Sequence, residues 1–325
     1  MFKKSILLSA MLLLSSVLLK NAHANGVAAT HKADTLLANE NYDQAYAEYL
    51  RIGEQKQNPS ALHTLALFHD LGWGRSVNKE QACLWYEKAA ALNVPLALDS
   101  LGNCYEQGIH KNVDNFRAAE LYQQSADLGH HYSLCKLAKL YINGQGVERN
   151  AEKGIALCRQ SAEQGSITAM LQLADIHLAA NTTTSLEAAL RWYSNAASYR
   201  SAEAEYKLAY MLLTGKGVKQ DPIEAREWFE KAASKGYHPA YYQTALLYFN
   251  APKHPDTGLW TEQDLAKSYL WVSAAIQRSS DKTQREGLDN MLVKVKNVMP
   301  STWEDSLDHK LKIHLDQYSQ QITSQ

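Results

Sequence analysis

The chain has 325 residues, 46% of them hydrophobic, with 33 basic against 34 acidic side chains and four cysteines. Such a balance argues against a polyanion-binding surface of the kind that nucleic acid or an acidic membrane selects. The length suits two average domains or one elongated array.

In chain order, the first feature is MFKKSILLSAMLLLSSVLLKNAHA, with two lysines, an apolar run and then Ala22-His23-Ala24. This pattern predicts a secretory signal peptide over residues 1–24. The apolar run is short for a membrane span, and Lys20 interrupts its end. Removing Lys3, Lys4 and Lys20 leaves 30 basic against 34 acidic side chains, a net charge near −4. Residues 25–59 follow as a helical hairpin with a turn at Asn39-Glu40-Asn41 and the helix residues Ala45, Tyr46, Tyr49 and Leu50.

A repeat then takes over. The dipeptides Ala89-Ala90, Ser125-Ala126, Ser161-Ala162, Ala196-Ala197 and Ala232-Ala233 are spaced 36, 36, 35 and 36 residues apart. Preferred helix N-caps recur in step at Asn78, Asp114, Asn150, Ser185 and Asp221. Helix stops fall at Asn93, Gly129, Gly165, Arg200 and Gly236, of which only Arg200 is a poor left-handed residue. Small residues recur at Ala61, Ala97, Ser133, Ala169, Ala204 and Ala240, with a leucine or threonine four positions on. A period of this size, with helix caps and no strand alternation, predicts an all-α fold, a right-handed α-solenoid of helix–loop–helix repeats with a concave and a convex side. The unit at Ala169 is one residue short in its LAANTTTS loop, where local irregularity is expected.

In TGKGVKQDPIEAREWFEKAASKGY (214–237), Gly215 terminates one helix and Asp221 and Pro222 start the next. Together with Ala204, Leu208, Ala209, Gly217, Val218, Ala225, Trp228, Lys231, Ala232, Ala233 and Gly236, these residues resemble a Sel1-like repeat, a relative of the tetratricopeptide repeat. The unit from Ala61 keeps Gly72, Gly74, Ala82, Trp85, Lys88, Ala89 and Ala90, and the unit from Ser133 keeps Gly144, Gly146 and Val147. In the unit from Ala97, His110 replaces the second glycine. The resemblance extends over about 60–280, where it implies some six solenoid units and a binding role without naming a partner. The 25–59 hairpin is similar to a tetratricopeptide unit. The last repeat is stretched by an insertion at 250–260 (APKHPDTGLW), and 281–325 read as two capping helices split at Met299-Pro300.

Catalysis has little support. Ser133-Leu134-Cys135-Lys136 matches S-x-x-K, and some relatives of this repeat type have been linked to β-lactam binding. However, Ser133 falls in the small-residue packing column, and neither S-D-N nor K-T-G follows. His63, His69, His110, His130 and His131 form no metal-binding motif. The expectation is a non-enzyme without cofactor or metal.

An exported chain meets oxidising conditions, so the cysteines are expected to pair. Cys83 and Cys104 lie symmetrically about the turn joining adjacent helices, and Cys135 and Cys158 do so within one hairpin. Cys83–Cys104 and Cys135–Cys158 are the expected bonds. Related cysteine-rich proteins of the same repeat type link successive units in a similar arrangement.

Positions equivalent to Tyr206, Lys207 and Tyr210 share one helix face away from the Ala204–Leu208 stripe and vary between units. Tyr206, Tyr210 and Tyr242, with Lys207 and Gln243, predict a concave groove for a protein or peptide partner, with Trp260 at its rim. The function expected is a periplasmic interaction scaffold with no nucleic-acid partner and no membrane insertion after leader removal. A secreted protein acting on a host or neighbouring cell, and a cell-wall enzyme, are the alternatives.

Overall fold

The computed structural model of the chain describes residues 30–318. The predicted signal peptide at residues 1–24 and the final residues lie outside this range. The described residues are helical, with no strand among them. They divide into two compact units at Ser166/Ile167.

The first unit contains a helix at residues 30–38 (α1), then α2 (Tyr42–Lys56), α3 (Pro59–Leu71), α4 (Lys79–Ala90), α5 (Pro95–Gln107), α6 (Asn115–Asp127), α7 (Ser133–Asn143) and α8 (Ala151–Glu163). The second contains α9 (Ile167–Ala180), α10 (Thr183–Ser198), α11 (Ala202–Thr214), α12 (Pro222–Ser234), α13 (His238–Phe249), α14 (Glu262–Arg278), α15 (Lys282–Lys296), a 3-10 turn at Ser301–Trp303 and α16 (Glu304–Gln317). Within each unit consecutive helices pack in chain order, the packing of an α-solenoid, and α16 turns back onto α14. Leu311 and Leu315 of α16 join Tyr241, Val272 and Leu288 in the core there. None of the described helices is long and apolar enough to cross a membrane.

The helix boundaries follow from local chemistry. Asn78, Asp114 and Asn150 each accept a backbone N–H three residues on, and Asp221 accepts from both Ile223 and Glu224. Ser185 departs from expectation. The cap is Thr182, and Ser185 stands three residues inside α10, closing a reciprocal capping box. The one-residue deletion is absorbed by starting α10 a turn earlier, with Asn181 left-handed in the short link. All five predicted stops have positive φ: Asn93, Gly129, Gly165, Gly236 and also Arg200, at +63° despite its side chain.

The paired glycines have separate tasks. Gly215 is the left-handed C-cap of α11, its N–H bonding the Met211 carbonyl. Gly217 is not a helix terminator. It too is left-handed, and a Cβ there would lie 2.8 Å from Leu186 Cβ and 2.9 Å from its carbonyl carbon, at the start of α10. Gly146 meets the Asn115–Phe116 backbone at the start of α6, and Gly74 meets Tyr42 at the start of α2, at 2.3 Å each. The second glycine is thus where one hairpin's loop touches the second helix of the hairpin before it.

Four of the hairpins also carry a polar lock. Tyr86 of α4 donates to Asp70 of α3 at 3.0 Å, and Tyr122 of α6 to Glu106 of α5 at 2.8 Å. Tyr49 and Asp34, and Tyr193 and Asp175, make the same bond across α1–α2 and α9–α10. In the α7–α8 hairpin the tyrosine position is Cys158, and the Cys135–Cys158 disulfide joins the helices instead, with Cα atoms 4.4 Å apart. Cys83–Cys104 links α4 to α5, in successive hairpins, with Cα atoms 6.0 Å apart.

Two outcomes are expected. Gly215→Ala should cost about 1–2 kcal/mol for its left-handed backbone alone. Gly217→Ala adds the collision with Leu186 and should lower the melting temperature clearly further; equal losses would contradict the stacking role. Burial, and then the Glu106 carboxylate, push the Tyr122 hydroxyl pKa well above its ordinary value. A raised native value keeps this contribution whole below the unfolded value of about 10, and it is lost as pH rises from there. Tyr122→Phe should therefore be less stable at pH 8 but lose stability less steeply above pH 10 than the wild type, as thermal melts across that range would show.

Candidate functional site: a tyrosine-lined groove in the second unit

A groove of about 440 Å³ opens in the second unit. Tyr206 of α11, His238, Tyr241, Tyr242 and Gln243 of α13, Arg278 at the end of α14, and Ser279, Ser280 and Gln284 are among the residues that line it. The helical register explains this grouping. Ala204 and Ala240 turn into the core, so Tyr206, Tyr242 and Gln243 fall on the adjoining face.

The structure brings together three of the six residues singled out by sequence: Tyr206, Tyr242 and Gln243. Packing uses the tyrosines more than sequence suggested. Tyr206 meets Phe229 edge-on and Tyr237 at a tilt, both at 5.4 Å, and Tyr242 rests against the Ala240–Val272 cluster. Each is therefore held rigidly, with one side toward the groove. Burial, then neighbouring Tyr210, raise the Tyr206 pKa, so its hydroxyl is a neutral donor at physiological pH.

The other three lie outside the groove's lining. Lys207 pairs with Asp175 of α9 at 3.0 Å, and Tyr210 is 43% exposed. Trp260 is a wedge under the insertion rather than an exposed rim: its indole N–H donates to the Phe249 carbonyl at 3.1 Å, its ring packs on Phe249, and Lys253 sits over it at 4.2 Å.

Arg278 was not foreseen. Its guanidinium donates to the Leu315 carbonyl at 2.8 Å, while Nε is buried without a hydrogen-bond partner among the described residues. Burial, then the Arg278 charge, lower the His238 pKa, so the imidazole is neutral near pH 7. Asp281 lies at the same edge but is engaged as the cap of α15, accepting from Thr283 and Gln284. The lining thus combines aromatic walls, amide and hydroxyl groups, and a cation.

The S-x-x-K serine is placed otherwise. Ser133 is fully buried; its hydroxyl lies 2.8 Å from both the Asp99 carboxylate and Ser125 Oγ, and Lys136 also bonds Asp99, at 2.6 Å. This is a packing cluster between hairpins, without access for an acyl substrate.

Comparison with known proteins agrees with this architecture. The Sel1 repeat family model matches residues 59–94, 95–130, 131–166, 167–198 and 202–237. No curated protein matches the chain. Among solved structures, c5321, a protective antigen present in uropathogenic Escherichia coli strains and displaying the same repeat fold, is 25% identical, with a TM-score of 0.64 over 86% of this chain and 58% of its own. The chain thus spans somewhat over half of that relative's length. A Sel1 repeat protein from Oxalobacter formigenes is 22% identical, with a TM-score of 0.64 over 77% of this chain and 100% of its own. The five matched segments make up more than half of the sequence, and the chain belongs to the Sel1 repeat family.

Proposed function

We propose that the protein is an exported, non-catalytic interaction scaffold of the bacterial periplasm. Its groove holds a peptide or helix of a protein partner that offers an apolar side chain beside a carboxylate. The observation that carries this reading is the groove itself: Tyr206, Tyr242 and Gln243 occupy repeat positions that vary between units, yet the tyrosines are rigidly backed by the core. Rigid aromatics make efficient anchors because little side-chain entropy is lost on binding. Arg278, a cation in the lining, favours a carboxylate in the occupant.

Repeat proteins of this family serve generally as interaction scaffolds, and stacked helices present extended surfaces for such contacts. Export is supported by the two closed disulfides, which persist in oxidising compartments. It is supported also by the leader-like first 24 residues. The likeness to a protective antigen makes release from the cell the second reading; osmotic-shock fractionation separates the two, with the protein expected in the shock fluid rather than the medium.

A photo-crosslinking amino acid placed at Tyr242 or Gln243 in the native cell should trap one discrete protein that a probe at Ile223, exposed on α12, does not. Tyr206→Ser and Tyr242→Ser combined should weaken that capture at least about tenfold while helicity is kept, because hot-spot truncations cost about 2 kcal/mol or more each. Identical adducts from the Ile223 probe, or full capture by the folded double variant, would contradict the assignment.

A further inference from the structure

Three departures from the repeat meet in the first unit. Cys83 stands where other hairpins have Ala119, Ile155 and Leu190, and Cys104 where they have Phe68, Leu140, Ile176 and Met211. His110 replaces the stacking glycine present at Gly74, Gly146 and Gly217. The fold brings all three together: ligand atoms of Cys83, Cys104 and His110 lie within 4.8 Å of one another. The His110 side chain is 4% exposed, and neither ring nitrogen has a hydrogen-bond partner among the described residues. A buried imidazole lacking partners for both nitrogens costs free energy, and such a group calls for an explanation. A disulfide offers it no compensating bond; two thiolates around a metal ion would.

We propose that Cys83, Cys104 and His110 form a zinc site in the dithiol form of the protein, mutually exclusive with the Cys83–Cys104 disulfide. Two sulfurs and one imidazole with an open fourth position suit Zn²⁺, at about 2.3 Å to sulfur and 2.0–2.1 Å to nitrogen. Tetrahedral ligation at those lengths sets donors roughly 3.5 Å apart, so on reduction the two sulfurs must turn apart about their side-chain bonds and His110, which sits in a loop, must move slightly inward. The Glu87 carboxylate, 3.9 Å from His110 Nε2 and held by Lys111 at 2.7 Å, is placed to accept that nitrogen's proton as an outer partner once the ring turns. Entry is through a cavity of about 370 Å³ lined in part by Cys83, Cys104, Asn103 and Ile109.

The chemistry balances simply. Zn²⁺ binding to the two thiols displaces two protons and changes no oxidation state. Closure of the disulfide by exchange with a disulfide-class oxidant moves two electrons to that oxidant, which leaves as its dithiol, and the ion is released. Zinc would therefore hold the thiols of a newly made chain apart until oxidation. The sequence carries no metal-binding motif here, because one ligand comes from each of two hairpins' helices and the third from the loop that follows.

The test uses purified protein reduced under argon with a phosphine, desalted and titrated with Co²⁺ and then Zn²⁺, with helicity followed by circular dichroism. The expected result is one equivalent of Co²⁺ per chain, with a thiolate-to-cobalt charge-transfer band and tetrahedral ligand-field absorption, both abolished by Zn²⁺. His110→Ala should weaken binding at least about tenfold. Cys83→Ser or Cys104→Ser should abolish the band, Cys135→Ser with Cys158→Ser should leave it unchanged, and the oxidised protein should show none. The proposal is overturned if the helical reduced protein gives no band, or if the band is indifferent to His110→Ala. A band that follows Cys135 and Cys158, or appears in the oxidised protein, overturns it as well. So does loss of helicity on reduction, because the site needs α4 and α5 packed.

Discussion

The stacking in these units rests on how closely one hairpin can approach the next, and at three hairpins that distance is set where a loop glycine meets a helix start. At Gly217 the backbone comes so near Leu186 that a single methyl group would collide with both side-chain and main-chain atoms. Main chain cannot move aside as a flexible side chain can, so only glycine permits the contact. The same approach recurs at Gly74 and Gly146. A fixed spacing between hairpins is what lets Ala204, Ala240 and their equivalents pack at 0% exposure and puts successive first helices side by side. The groove lies where α13 follows α11 as the next first helix, so that Tyr206 and Gln243 line one space.

Inside four of the hairpins a second constraint operates. A buried tyrosine hydroxyl on the second helix donates to a carboxylate near the end of the first, which satisfies a polar group that would otherwise be costly to bury. The replacements are instructive. Where Cys158 stands in the tyrosine column, Ile142 stands in the register of Asp70 and Glu106, and a disulfide replaces the lock. Where Phe229 stands there, no hydroxyl needs a partner, and Tyr206 fills the space by packing edge-on against the ring. In the α11–α12 hairpin, which has no such lock, the first-helix tyrosine is fixed by that ring at the groove.

Much of this was legible in the sequence because repetition separates what packing fixes from what it leaves free. The caps at Asn78, Asp114, Asn150 and Asp221, and the left-handed stops including Arg200, could be read from column and period alone. Ser185 could not: a deletion of one residue shifts the helix start, and Thr182 is an equally good cap one turn earlier. The task of the second glycine could not be read, because its partner, the preceding hairpin, is distant in sequence. Lys207 looked free because its partner Asp175 lies 32 residues away in the preceding hairpin. Trp260 and Arg278 lie beyond the regular repeats, where no column exists to compare them with, so the wedge and the cation emerge only in three dimensions.

The claim that loop-to-helix contact through the second glycine holds hairpin to hairpin is tested most directly by native-state hydrogen exchange on Gly217→Ala beside the wild type. In a stack of this kind each repeat depends on its nearest neighbours, so damage should be local. The account predicts lost protection in the first turns of α10 and throughout α11 and α12, with the amides of α3 to α6 exchanging as before. Unchanged protection at α10–α12, or a uniform loss over the whole chain, would contradict it.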